Sequence, residues 1–127
     1  VTTAVLNGKL YVIGGYNNHG LGVLSTVEVY DPATDTWTTD TPLPSGRYGA
    51  TAAAINGKIY VAGGSDANGT MAATLFEFDP ATHAWTTKQP MPTNRYLTAG
   101  AVLNGSLYVV GGYSDGIYRN AVEAYKP

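Results

Sequence analysis

The sequence predicts an all-β protein assembled from three copies of one four-stranded unit, and three observations carry that expectation. The stretch NGKLYVIGG at 7–15 returns as NGKIYVAGG at 56–64 and as NGSLYVVGG at 104–112, 49 and then 48 residues further on. A second landmark, VEVYDPATDTWTT at 27–39, is echoed by LFEFDPATHAWTT at 75–87 and, shortened, by AVEAYKP at 121–127. With 16 Gly, 7 Pro and 10 Tyr in 127 residues, the composition favours strands joined by tight turns, and no stretch shows the periodicity of an amphipathic helix.

Each element follows in order. Strand a is a run of small residues: VTTAVL (1–6), ATAAAI (50–55) and TAGAVL (98–103). Asn-Gly then closes a two-residue hairpin, since both central positions of a type I′ turn need a positive φ. Strand b is KLYVI, KIYVA or SLYVV, ended each time by a glycine pair. Strand c is TVEVY, TLFEF or AVEAY. DPATDTW or DPATHAW then turns tightly into strand d, with Pro presetting φ and Asp bonding the backbone two residues on. A third landmark, PLPSGRYGATAAAI (42–55), returns as PMPTNRYLTAGAVL (90–103) and leads from strand d into the next strand a. No linker separates the copies, so one array is expected, with units at about 1–41, 48–89 and 96–127 and the third lacking its outer strand.

A glycine pair closing one strand, an aromatic near the end of the next, and Trp seven residues later resemble the kelch repeat. The marks are Gly14-Gly15 with Tyr30 and Trp37, Gly63-Gly64 with Phe78 and Trp85, and Gly111-Gly112 with Tyr125. The resemblance covers essentially the whole chain and implies blades of a β-propeller, with strand a lining a central channel. Trp and the strand c aromatic are then expected to fill the wedge between blades, each burying roughly 150–250 Å². Three blades make about half of a six-bladed ring, and an open stack exposes two apolar flanks. Either the chain is cut from a longer propeller, the remaining blades being its partner, or two copies associate head-to-tail.

Charged residues make up only 13 % and the formal net charge is −2, so no Lys/Arg footprint for nucleic acid is present. No run of about eighteen apolar residues suggests a membrane span. With no Cys, there can be no disulfide, thiol nucleophile or Cys-ligated metal, and the Tyr–Cys cross-link of copper radical oxidases is excluded. No cofactor and no metal site are expected. The Thr/Ala-rich style suggests a bacterial or archaeal source, with an extracellular or periplasmic location as one reading; the compartment itself is not written in the sequence. Asn68-Gly69-Thr70 and Asn104-Gly105-Ser106 match the N-glycosylation pattern, the second in a tight hairpin that suits a glycan poorly.

Alternating strands place the b–c and d–a loops on one face. That face holds the variation between copies: YNNHGLGVLS (16–25), SDANGTMAA (65–73) and YSDGIYRN (113–120). Variable loops on a rigid frame are where binding is expected. Candidates are Arg47-Tyr48 and Arg95-Tyr96 entering strand a, with Tyr16, Asn17, His19, Ser65, Asp66, Tyr113, Asp115 and Tyr118 in the b–c loops. In kelch adaptors of the BTB ubiquitin-ligase type, Arg at the start of strand a helps form a pocket for acidic peptides, and Arg47 and Arg95 match by position. The alternative is that each Arg holds its loop by bonding carbonyls. The tyrosines offer rigid apolar area plus a hydroxyl, for contact or for rim packing. Asp66 and Asp115 are expected to cap their loops.

Glu28 and Glu123 are equivalent, but Phe76 breaks the series, so paired general acid/base chemistry loses its candidate. No Ser/His/carboxylate triad and no metal-ligand spacing appears. The leading expectation is a non-catalytic binding module presenting the b–c and d–a loops to a protein or peptide. The alternatives are a carbohydrate-binding or epimerase-like kelch domain, in which His19 would join Arg47, Arg95 and a loop Tyr, and a structural or engineered propeller fragment.

Overall fold

The computed structural model describes residues 1–20 and 22–127; Leu21, inside the first variable loop, lies outside the described residues. All thirteen regular elements are β-strands, and the described residues contain no helix. Strands β1 (Thr2–Leu6), β2 (Lys9–Asn17), β3 (Gly22–Asp31) and β4 (Thr36–Asp40) form one antiparallel sheet in that order. Strands β5 (Thr51–Ile55), β6 (Lys58–Ala62), β7 (Leu75–Asp79) and β8 (Ala84–Lys88) form a second of the same order. In the third, β10 (Ser106–Val110) lies between β9 (Ala99–Leu103) and β13 (Val122–Tyr125). A two-stranded ribbon of β11 (Tyr113–Ser114) and β12 (Ile117–Tyr118) stands between β10 and β13 in the chain. The expected all-β array of propeller blades, the third without an outer strand, is what forms.

Local chemistry dictates these turns. Asn7 and Gly8 sit at φ 52° and 75°, as a type I′ hairpin requires, and the same pair recurs at 56–57 and 104–105. Asp31 Oδ1 accepts from Ala33 N–H at 2.9 Å, and Asp79 Oδ1 from Ala81 N–H at 2.9 Å, which tightens both c–d hairpins. Tyr30 then stands directly across the ladder from Trp37, and Phe78 from Trp85.

Sheets stack face to face with β1, β5 and β9 innermost and side by side. Crowding there explains the small residues: a methyl on Gly100 would run into the Thr51 side chain, whose hydroxyl is 2.7 Å from that of Thr98. The first seam buries Tyr11, Ile13, Val27, Val29 and Leu43 against Ile59, Val61, Phe76 and Phe78, with Trp85 packed on them. The second buries Ile55, Tyr60, Ala62 and Leu75 against Leu107 and Val109. Also in this seam is Glu77, only 5 % exposed, whose carboxylate accepts from Tyr60 Oη at 2.7 Å and pairs with Lys58 at 3.1 Å and Lys88 at 3.3 Å. Burial pushes the Glu77 carboxyl up, but these three partners more than offset it and leave the group below its usual range.

Two expectations need correction. The first sheet does not end at its glycine pair: Gly15, Tyr16 and Asn17 pair with Leu24, Val23 and Gly22, after a register shift between Ile13 and Gly15. Much of the supposed 16–25 loop is therefore a protruding hairpin. Trp37 fills no wedge either. It stacks on Tyr30 at 5.1 Å but is 57 % exposed, because none of the described residues of the other sheets packs on the flank of the first sheet that it occupies.

The glycine pair is required on two grounds at once. Gly63 sits at φ 69°, and a Cβ added there would lie 2.6 Å from the Arg95 carbonyl oxygen; Gly14 meets the Arg47 carbonyl in the same way. Gly57, at φ 77°, has open space around it. The comparison predicts that Gly57→Ala costs only the left-handed backbone penalty, about 1–2 kcal/mol. Gly63→Ala adds a clash with the backbone and should cost about 3 kcal/mol or more in denaturant unfolding.

Candidate functional site

Five tyrosines meet on the face formed by the b–c and d–a loops. Tyr16 leaves β2 and packs on Tyr48 at 5.7 Å between ring centroids. Tyr48 meets Tyr96 edge-on at 5.4 Å, Tyr96 meets Tyr113 at 5.9 Å and 88°, and Tyr113 meets Tyr118 at 5.1 Å. An arc of aromatic rings thus crosses all three sheets, each ring touching the next in the edge-to-face or tilted geometry that aromatic quadrupoles favour. Its two ends are the most open, Tyr16 at 62 % and Tyr118 at 83 % exposure. Backbone pairing fixes the middle: Tyr48 bridges to Ser65, and Tyr96 to Tyr113. Two residues beyond Tyr48 and Tyr96, Ala50 and Thr98 help line a hollow of about 500 Å³ against the innermost strands, along with Thr2, Thr3 and Thr51.

The arginines do not share this surface. Arg95 is fully buried; its guanidinium donates to the carbonyls of Gly111 and Ala121, both at 3.1 Å, and pairs with Glu123 at 2.7 Å. Arg47, 7 % exposed, donates to Ser45 Oγ at 2.9 Å and the Gly46 carbonyl at 2.8 Å, and lies 5.6 Å over the Phe76 ring. Burial pulls the Arg47 guanidinium down from its usual value, with Asp66 partly opposing that. In each case the backbone carbonyl of the same Arg accepts from the glycine pair of the preceding sheet: Gly15 N–H to Arg47 at 2.7 Å, and Gly64 N–H to Arg95 at 2.9 Å. Both residues therefore straddle a seam, main chain on one sheet and side chain on the next. A pocket of two exposed guanidinium groups for an acidic peptide is not what the fold builds here, because both groups are buried inside it.

The remaining candidates separate by burial. Ser65 is 1 % exposed, its N–H donating to Tyr48 O at 2.9 Å, so it supports the arc from beneath and offers no contact. Asp66 Oδ1 accepts from the N–H groups of Asn68 and Thr70, each at 2.9 Å, and caps its loop. Asp115 does otherwise: it accepts from Ser114 Oγ at 2.9 Å and pairs with Arg119 at 3.0 Å beside Tyr118. Asn17 Oδ1 accepts from His19 N–H at 2.7 Å at the tip of the first hairpin. No group of three or more His, Cys, Asp or Glu among the described residues could hold a metal ion.

Sequence reasoning missed two residues. Leu97 stands exposed beside Tyr96 at φ 55°, where the preceding copy has Gly49; a bulky side chain is held there in a strained backbone region, with no local signal to announce it. Glu123 had a signal, its equivalence to Glu28, but the meaning lay in its partner Arg95 and not in a ring of acids.

Burial pushes the Glu123 carboxyl up, while the Thr93 hydroxyl and Arg95 hold it, on balance, below the usual range. A depressed folded value means stability that is present above the unfolded carboxylate range and lost as pH falls through the folded one. Arg95→Ala leaves Glu123 without its cation and two carbonyls without donors, and should cost about 3–5 kcal/mol. The variant should also lose the part of the wild-type acid sensitivity that arises from this pair. Arg47→Ala, which breaks no ion pair, should cost about 1–3 kcal/mol. Thermal melts of both variants from pH 7 to pH 3 measure these differences.

Comparison with known proteins agrees with this architecture. The profile of the KLHDC2/KLHL20/DRC7 Kelch-repeats domain matches residues 1–127. An F-box/kelch-repeat protein of Arabidopsis thaliana is 57 % identical over 37 residues, which are 28 % of this chain and 8 % of that protein. The solved structure of YjhT superposes with a TM-score of 0.88 at 23 % identity over 98 % of this chain, a likeness of fold. The chain spans 48 % of YjhT, about half its length. Repeated glycine pairs, stacked four-stranded sheets and a domain profile that runs from the first residue to the last lead to one assignment: the chain belongs to the Kelch-repeat family.

Proposed function

We propose that the chain is a non-catalytic kelch binding module whose b–c and d–a loop face engages a protein or peptide partner. The observation that carries this reading is the continuous arc of Tyr16, Tyr48, Tyr96, Tyr113 and Tyr118. Tyrosine gives large contact area at low entropic cost and dominates many interfaces. With Arg47 and Arg95 enclosed, recognition rests on ring faces and hydroxyls, so the partner has no need to be acidic. Probing an array of tiled 12-residue peptides, alongside an array of neutral oligosaccharides, tests this. Captured peptides should lose at least tenfold in affinity with Tyr16→Ser/Tyr118→Ser, at exposed positions where substitution leaves stability within about 0.5 kcal/mol. Peptide capture indifferent to these changes, or capture of oligosaccharides alone, overturns the reading and favours a sugar-binding kelch domain.

A second element of the proposal is closure by self-association. Val5 at 66 % and Trp37 at 57 % exposure form an apolar flank on the first sheet. Leu103 at 59 %, Val110 at 43 % and Val122 at 60 % form another on the third. Two copies joined head-to-tail would cover both with one repeated contact. Light scattering should then give twice the chain mass of 13.3 kDa, and Trp37→Lys should return the monomer. A well-folded monomer at micromolar concentration sinks the idea.

A further inference from the structure

We propose that the partner of the tyrosine arc is a proline-rich segment in the polyproline II helix, an inference that rests on the binding-module reading. What the face withholds decides against other backbones. Tyr48 and Ser65 exchange both of their backbone hydrogen bonds, at 3.1 and 2.9 Å, and Tyr96 and Tyr113 do the same at 3.2 and 2.8 Å. The main chain beside the rings is thereby spent, so an extended peptide finds no ladder to join there. Laid across ring faces, an ordinary peptide strands its N–H groups, each an unsatisfied donor. Proline brings no N–H.

The face supplies donors of its own. Tyr30 and Tyr60 spend their hydroxyls on Asp35 and Glu77, at 2.8 and 2.7 Å, whereas the hydroxyls of Tyr16, Tyr48, Tyr96, Tyr113 and Tyr118 have no partner among the described residues. A polyproline II helix makes no internal hydrogen bonds and leaves its carbonyls open, so it offers acceptors alone. Charge agrees. Arg47 and Arg95 are buried, Arg119 pairs with Asp115 at 3.0 Å, and Asp66 is held by the N–H groups of Asn68 and Thr70. Every arginine and carboxylate of this face among the described residues is therefore engaged, and the complementary ligand is uncharged. Spacing agrees as well: neighbouring rings stand 5.1 to 5.9 Å apart, close to the rise of two residues of the helix, about 6 Å.

Leu97 points to an apolar ligand independently. It is 58 % exposed and sits at φ 55°, where the preceding copy has Gly49 at φ 64°. Glycine takes this backbone freely, so the loop carries strain to keep an exposed aliphatic group in place. A Cβ on Gly49 would lie 3.1 Å from the Tyr96 ring and 3.3 Å from Leu97 Cδ2, which makes ring and leucine adjoining walls. Aromatic-lined grooves of this kind seat the flat, apolar pyrrolidine rings of proline-rich chains.

The probe is acetyl-decaproline amide, titrated into the folded chain carrying ring-¹³C tyrosine. The five arc rings should shift saturably, while those of Tyr11 and Tyr60, buried in the seams, stay unmoved. A decamer of alternating Ala and Gln, equal in length but bearing its N–H groups, should bind at least tenfold more weakly. Tyr48→Phe, which keeps the ring and removes one donor, should weaken decaproline at least threefold. Leu97→Gly should weaken it at least threefold without lowering the melting temperature, because the strain leaves with the side chain. Decaproline that moves no arc ring at millimolar concentration, or binds no more tightly than the Ala-Gln decamer, overturns the proline assignment. The tiled peptides then separate this inference from the reading beneath it. Capture that depends on Tyr16 and Tyr118 keeps the arc as a face for another peptide class, and its absence removes the face as well.

Discussion

The fold depends on one contact made twice: an arginine carbonyl pressed against a glycine pair, with the guanidinium of that arginine reaching into the next sheet. Gly15 and Gly64 donate to Arg47 and Arg95, and no residue with a side chain fits at Gly14 or Gly63. Apolar flanks alone would let sheets slide or rotate against one another, since hydrophobic burial is non-directional. Directional bonds from a residue shared by two sheets fix their relative placement. The loops that carry the tyrosines leave from these same points, so the aromatic arc inherits its geometry from the clamp.

The two clamps differ in chemistry at the same position. Arg95 meets Glu123, whereas Arg47 meets the face of Phe76. A cation over a ring and a cation beside a carboxylate both compensate for burial, but only the second responds to acid. Glu28, the counterpart of Glu123, is exposed on the open flank of the first sheet.

Much of the fold was legible because a repeat states its own rules several times over. Asn-Gly, Asp-Pro and the glycine pairs each specify a backbone conformation locally, and three copies at a constant interval fix the architecture. Legibility ends where the chain must be seen from the side. Nothing near Arg95 in sequence says that its side chain turns inward, because Glu123 and the Ala121 carbonyl arrive from the next unit. Trp37 and Trp85 are written alike, yet one is open and the other packed, a difference made entirely by which sheets have neighbours. The tyrosines could be named as candidates one by one; their joining into an arc needed the d–a loop of one unit to lie beside the b–c loops of others.

That unequal pair of tryptophans gives the molecule an intrinsic optical label. Trp85 is set in the first seam with its N–H bonded to Thr41, while Trp37 emits from water on the outer flank. A partner that settles on that flank dries Trp37 and moves emission to the blue, whereas parting of the first two sheets wets Trp85 and moves it to the red. Opposite colour changes therefore distinguish assembly from loosening, with no dye attached.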